Sequence, residues 1–222
     1  AITKEVFIFE RLIRNLQEVT EQAGCYVPLY IMTSDKNHTE TTAFFEEKNY
    51  FGYPKDYVKF FQQEMAPSVD FNGKLYMEAA DSLSLSPNGN GGWFYSMVKT
   101  GVIADVKARG VEWLNIFAVD NVLQRIADPI FVGATLESGC VSGAKVVKKA
   151  DPHEKIGVLC LEDGRPSIVE YYEMTDEIIN SRQENGELSY NFGVILNYLF
   201  RVDKLEEIMN AKMPVHIVEK KI

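Results

Sequence analysis

Cysteine is scarce in this chain: Cys25, Cys140 and Cys160 are the whole set in 222 residues, and no C-x-x-C spacing joins them. That excludes a disulfide framework and a cysteine-built zinc site, and it fits a reducing cytoplasmic compartment. Histidine is equally scarce, and His38, His153 and His216 have no ligand spacing. None of the three is assigned a role. Positive charge is in deficit, with 23 Lys and Arg against 32 Asp and Glu and a formal net charge of -9. A nucleic acid or an anionic membrane held by a broad basic face is thereby excluded as a partner, and any bound phosphate needs local help. No apolar run approaches the ~20 residues of a membrane span, and the charges in "AITKEVFIFERL" come too early for a signal-peptide core. Internal repeats and low-complexity linkers are absent as well, so no firm domain boundary is expected. Apolar residues, in contrast, are plentiful: 46% hydrophobic and 12% aromatic content can fill the core of one large domain or two small ones.

Helical and strand patterns alternate along the chain. "VFIFERLIRNLQEV" sets Phe7, Leu12, Ile13 and Leu16 at helical spacing. "CYVPLYIMTS" and "YVKFFQQ" read as strands, with a helix near "TETTAFFEEKN" between them. "SVDFNGKLYM" predicts a hairpin turned at Asn72-Gly73. Helical pattern follows the glycine-rich "SPNGNGG" and runs to Gly110. "VEWLNIFAVDN" is apolar from Trp113 to Val119, as for a central strand covered on both faces. Asp128-Pro129 starts a helix that Gly139 stops. "SGAKVVKK" predicts a strand, and "KIGVLCLEDGRPSIVEYYEM" a hairpin folded at Asp163-Gly164. A helix with a loop at "TDEIINSRQENG", a buried segment "YNFGVILNYLF" and an amphipathic helix "DKLEEIMNAKM" complete the pattern. The alternation implies an α/β sandwich with a mostly parallel sheet and inserted hairpins. Ligands of such sheets gather at the carboxyl ends of strands, which singles out Gln62-Gln63, the glycine loop and Asp120.

Glycines at 89, 91 and 92 remove side-chain bulk, so a flat or anionic ligand could sit directly on backbone N–H and C=O groups; a tight turn before a helix needs the same residues. Asp120 ends an apolar strand. Its carboxylate requires solvent or a partner, and a Mg²⁺ ion bridged to phosphate oxygens would satisfy it with one or two protein carboxylates. An N-cap would satisfy it equally. Glu170, in a hairpin arm ahead of two tyrosines, could accept hydrogen bonds from vicinal sugar hydroxyls or stand at a solvated edge. Lys145, Lys220 and Lys221 could meet phosphate or simply be solvated.

Taken together, "PLYIMTS", "FFQQEMAP", "FNGKLYM", "SPNGNGG", "FAVDNVLQRIADPIFVG", "SGAKVVKKADPHEKIGVLCLEDG", "IVEYYEM" and "EKKI" resemble, in order and spacing, the eukaryotic-type UDP-N-acetylglucosamine pyrophosphorylases of the UDP-sugar pyrophosphorylase superfamily. The resemblance covers essentially the whole chain. It implies a glycosyltransferase-A-like nucleotidyltransferase fold, and a reaction of UTP with a sugar 1-phosphate that yields UDP-sugar and pyrophosphate. It also implies roles. Gln63 and Gly89 match the residues that read uracil, and Asn90 matches one that contacts the sugar. Asp120 matches a Mg²⁺-binding aspartate. Gly157, Glu170 and Asn191 match the lining of the hexose pocket. Lys220 and Lys221 match lysines associated with the phosphates.

Two departures from the family pattern qualify the expectation. "NFGV" stands where the family has "NAGN", so Phe192 and Val194 leave glucose or galactose 1-phosphate as alternatives to N-acetylglucosamine 1-phosphate. The family's glycine-rich triphosphate loop has no counterpart in these residues. The 222 residues are therefore expected to be the central part of a longer catalytic domain, inactive when isolated. A glycosyltransferase would want a D-x-D motif where "VDN" offers one carboxylate, and a non-catalytic sugar-nucleotide-binding homologue is the remaining alternative. Oligomeric state is not legible.

Overall fold

The computed structural model describes residues 6–211. In chain order the elements are α1 (Ile8–Ala23), β1 (Leu29–Thr33), α2 (His38–Glu47), β2 (Val58–Gln62), β3 (Met65–Pro67), β4 (Met77–Ala79), β5 (Ser82–Leu83) and β6 (Leu85–Pro87). There follow α3 (Trp93–Lys99), α4 (Ile103–Ala108), β7 (Trp113–Phe117), α5 (Pro129–Glu137), β8 (Ser142–Lys148), β9 (Val158–Glu162), β10 (Arg165–Val169), α6 (Asp176–Asn180), β11 (Phe192–Arg201) and α7 (Val202–Ile208). The described residues divide into two compact units: 6–27 with Trp113–Arg201, and Pro28–Glu112 with 202–211. This division cuts the chain between elements rather than at a linker.

In the first unit, the strand order β10-β9-β11-β7 is antiparallel throughout, and β8 also pairs with β11. β11 organises it. This ten-residue strand meets β7 through Asn197–Arg201, β8 along most of its length, and β9 at Gly193. Its ladder to β8 is interrupted between Val194 and Tyr198, where Leu196 takes a left-handed φ of 48°. Such a bulge bends a strand and re-aims its side chains. α1 buries Leu12, Ile13 and Leu16 of the stripe read from its sequence, together with Val19, at roughly 1.5–3 kcal/mol each for side chains of this size, while Phe7 stands half-buried just ahead of the helix. The β9–β10 hairpin turns at Asp163-Gly164 as expected, with φ of 50° and 77°, the double left-handed geometry of a two-residue loop.

In the second unit, β1 and β2 run parallel in register from Leu29↔Val58 to Thr33↔Gln62. α2 drives the fully buried Phe45 against them, where its ring meets Tyr50, Phe51 and Phe60 edge-on at 5.2–5.9 Å. Short antiparallel ladders join β3 to β6 and β4 to β5.

The α/β class stands. Its pairing is more antiparallel than expected, since β1–β2 is the single parallel pair among the described residues. β7 comes at one end of its strand order rather than in the middle, although Leu114 on it is buried. The helical run toward Gly110 is broken at Gly101, whose φ of 79° ends α3 before α4 begins. The hairpin near Asn72 reduces to one bridge, Val69↔Leu75, because the Asp70 carboxylate accepts both the Asn72 and Lys74 N–H at 2.8 Å and leaves Gly73 alone in the left-handed region.

Candidate functional site

The uracil candidates lie in the second unit. Because β1 and β2 are parallel, they end on the same edge, where the Thr33 carbonyl accepts the Gln63 N–H at 2.8 Å. The Thr33 hydroxyl donates to the Phe61 carbonyl at 3.2 Å and lies 2.7 Å from His38 Nδ1, so His38 is spent on the strand end. Beyond Gln63 the chain enters β3, which pairs with β6 at Met65↔Pro87. The Asn88 N–H then donates to the Glu64 carbonyl at 3.2 Å. The glycine loop thus starts opposite the residue that follows Gln63, and the structure brings Gln63 and Gly89 together. Gly89 has φ 97° and ψ 155°, a conformation open essentially to glycine alone, and no atom lies within 4 Å of where its side chain would point. Asn90 opens the short turn of 3-10 helix, Asn90–Gly92, that leads into α3. Neither the Gln63 nor the Asn90 side chain has a hydrogen-bond partner among the described residues.

The metal candidate and the sugar candidates other than Asn90 lie in the first unit. Asp120 follows β7 in an exposed turn, and its carboxylate has no hydrogen bond or ion pair among the described residues. No helix starts there to be capped: the Asp120 carbonyl accepts the Val122 N–H at 3.1 Å in a simple turn. Asp120 lines an open recess of 450 Å³ with Ala118, Asn121, Val194, Ile195 and Leu196. No group of three or more His, Cys, Asp or Glu is arranged for a metal among the described residues. A lone carboxylate in an open recess still matches the way Mg²⁺ is held, by one or two carboxylates with water and substrate phosphate completing its shell.

Gly157, Glu170 and β11 come together beside the hairpin. The Val194 N–H donates to the Gly157 carbonyl at 2.8 Å. A Cβ on Gly157 would stand 3.3 Å from Glu170 Oε1, so the bare backbone is what lets that carboxylate lie against it. Glu170 also acts on Tyr198: burial first, then the Glu170 charge, pushes the Tyr198 hydroxyl above its ordinary value. Tyr198 carries no signal in the sequence, because it sits in a largely apolar segment broken only by Asn197. Asn191 is buried, its carbonyl accepts the Lys149 N–H at 2.8 Å, and its side-chain amide has no partner among the described residues. Of the "NFGV" residues that depart from the family pattern, Phe192 is exposed on the strand and Val194 lines the recess.

Lys145 is not free for phosphate. It pairs with Asp128 at 2.7 Å and lies over the Phe131 ring. Burial pushes the Asp128 carboxyl up, but the Lys145 hydrogen bond and the Ile130 N–H it caps outweigh that and hold it below its ordinary value. Lys220 and Lys221 lie outside the described residues. Among the described residues, no helix is long and apolar enough to cross a membrane.

Known proteins bear on this arrangement. The chain is 39% identical to a UDP-N-acetylhexosamine pyrophosphorylase-like protein of Mus musculus over 95% of its own length and 43% of the relative's. It is 36% identical to the UDP-N-acetylglucosamine pyrophosphorylase of Saccharomyces cerevisiae, over 96% of this chain and 45% of that one. A crystal structure of the UDP-N-acetylglucosamine pyrophosphorylase of Trypanosoma brucei, in complex with inhibitor, superposes with a TM-score of 0.82 at 28% identity, over 95% of this chain and 44% of that one. The chain therefore spans less than half the length of these relatives. A model of one family matches all of it, residues 1–222, and the chain belongs to that family, described as UTP–glucose-1-phosphate uridylyltransferase.

Proposed function

We propose that these residues form part of the catalytic domain of a uridylyltransferase that makes UDP-sugar and pyrophosphate from UTP and a sugar 1-phosphate, N-acetylglucosamine 1-phosphate first. The observation that carries the reading is the Asp120 carboxylate, unpaired by any described residue, at the carboxyl end of β7 and facing an open recess. Substrate names of the relatives support it.

In this reading a phosphate oxygen of the sugar 1-phosphate attacks the α-phosphorus of UTP, a P–O bond forms, and the bond to pyrophosphate breaks in line. No protein nucleophile is required, so the residues position groups and balance charge. Gly89 offers backbone to the uracil edge and Gln63 its amide; Asn90 meets the sugar. Glu170 accepts hydrogen bonds from sugar hydroxyls, held by the side-chain-free Gly157, and the Asn191 amide adds a donor and an acceptor. Asp120 would hold Mg²⁺, whose contribution when bound is to offset phosphate charge. Lys220 and Lys221 are proposed to share that task. A cytoplasmic enzyme is the corresponding setting. Val194 in the recess and the exposed Phe192 favour a second reading, with glucose or galactose 1-phosphate as acceptor, because neither offers a hydrogen bond to an acetamido group.

The test is an assay of the full-length protein with UTP, Mg²⁺ and a panel of hexose 1-phosphates. UDP-sugar should form, fastest with the N-acetylated sugar. Asp120→Ala should lower kcat on the order of 100-fold or more with little loss of thermal stability, since its carboxylate is exposed. Absence of uridylyl transfer with every sugar would overturn the reading, and wild-type turnover by Asp120→Ala would remove the metal assignment.

A further inference from the structure

The turn that carries Asp120 is held by a set of carboxamides, of which Asn15, Gln124 and Asn197 are buried and Asn115 half-buried. Gln124, 5% exposed, donates from Nε2 to the Ala118 carbonyl at 2.5 Å and so ties together the two ends of the segment that contains Asp120. Gln124 Oε1 accepts from Nδ2 of the fully buried Asn197 at 3.3 Å. Asn197 Oδ1 in turn accepts from Asn115 Nδ2 at 2.9 Å, and the same Nδ2 reaches the Tyr198 carbonyl at 2.8 Å. Asn115 Oδ1 accepts the Ala127 N–H at 2.8 Å, and Asn15 of α1 donates to the Gln124 carbonyl at 3.0 Å. Residues 118, 124 and 127 are thus pinned through main-chain atoms or through Gln124 itself, while the Asp120 side chain takes no part. The relay ends on Asn197 and Tyr198, the C-terminal margin of the β11 bulge whose Val194, Ile195 and Leu196 form the other wall of the recess.

We propose that Gln124 is a positioning residue: through Asn197 it fixes the Asp120 turn against the β11 bulge and so sets the carboxylate for a divalent cation in the recess. The inference rests on the Asp120 metal reading above. A fully hydrogen-bonded buried network fixes a unique geometry, and partners behind a metal ligand commonly govern metal affinity by 10- to 100-fold. An amide with both a donor and an acceptor is needed at 124, because Ala118 offers a carbonyl and Asn197 an N–H.

The experiment measures binding of Mn²⁺ alone to the full-length protein by water-proton relaxation enhancement, beside thermal unfolding. Four proteins are compared: wild type, Asp120→Asn, Gln124→Met and Leu16→Ala. Leu16 is buried on α1 and outside the network, so its variant gives a general loss of stability as control. Gln124→Met keeps volume and removes both hydrogen bonds. It should weaken Mn²⁺ about 10-fold, while Leu16→Ala, though less stable, binds as wild type. Should Gln124→Met not fold, Gln124→Asn replaces it, with an amide one methylene too short for Ala118 and the same expected loss. Weakened binding in Asp120→Asn with wild-type binding in the Gln124 variant overturns the positioning role and leaves the metal reading intact. Equal loss in Leu16→Ala overturns it too, by reducing the effect to general softening. Wild-type binding in Asp120→Asn sinks the metal reading itself.

Discussion

Gly89 gives the sharpest test of the proposed base reading. Its φ of 97° and ψ of 155° fall where any residue with a Cβ is strained, at about 1–3 kcal/mol. No heavy atom lies within 4 Å of the Cβ position, so an added methyl group clashes with nothing in the protein and the dihedral strain stands alone. Gly89→Ala can keep the geometry and lose stability, or relax the loop and lose the backbone presentation. If the loop relaxes, restoring the presentation consumes binding energy, and 1–3 kcal/mol corresponds to roughly 5- to 150-fold weaker UTP binding. Losses in stability and in affinity should therefore sum to about that strain. Gly89→Val adds bulk into the open space where a base would lie, and should block binding outright. Calorimetric titration of the full-length protein with UTP, beside urea unfolding, reads both quantities. An unchanged affinity in the valine variant, or no change of either quantity in the alanine variant, would refute the argument that bare backbone at this position meets the nucleotide.

Gly157→Ala places a methyl group 3.2 Å from Ile168 Cγ2 and 3.3 Å from Glu170 Oε1, so the carboxylate must shift by a few tenths of an ångström. The expected result is a several-fold higher KM for sugar 1-phosphate with kcat nearly unchanged, the pattern of lost ground-state binding, read from steady-state kinetics. For Asp128, whose folded pKa is depressed, the ionised form stabilises the fold above the unfolded pKa, and that stabilisation is lost as pH falls through the folded value. Asn caps a helix about as well as Asp, so Asp128→Asn isolates the charge paired with Lys145: urea midpoints should reveal a deficit of about 1 kcal/mol near neutrality that vanishes in acid. A deficit independent of pH would show that the ion pair contributes nothing.

Features set by neighbours in sequence were legible. The α1 stripe, the Asp128-Pro129 helix start and the Asp163-Gly164 turn each need only a few adjacent residues, and each stands where it was read. Pairing was less legible. "NFGVILNYLF" is a run without period, so nothing in it announces that β11 takes antiparallel partners on both sides or bulges at Leu196. The apolar pattern after Trp93 continues across Gly101, and the break follows from that glycine's left-handed backbone, which periodicity does not register. Asp120 was flagged because a carboxylate after an apolar strand is conspicuous. Gln124 and Asn197 were not, because a buried amide looks like any other polar residue until its partners, 73 positions apart, are brought to it by the fold.

The two units hold their candidate residues in a common way. In one, Gln63 and Gly89 are fixed through the main chain, by the Thr33 carbonyl and the Asn88–Glu64 hydrogen bond, and the Gln63 amide is left without a protein partner. In the other, the Asp120 turn and the Asn191 backbone are likewise fixed, by Gln124 and by Lys149, while the Asp120 carboxylate and the Asn191 amide remain uncommitted. A structural polar residue would be expected to spend its own hydrogen-bonding capacity, as Lys145 and His38 do. Rigid backbone beneath unspent side chains is the arrangement that the proposed phosphoryl transfer, with no protein nucleophile, would call for, because its rate would depend on groups already in place when substrate arrives.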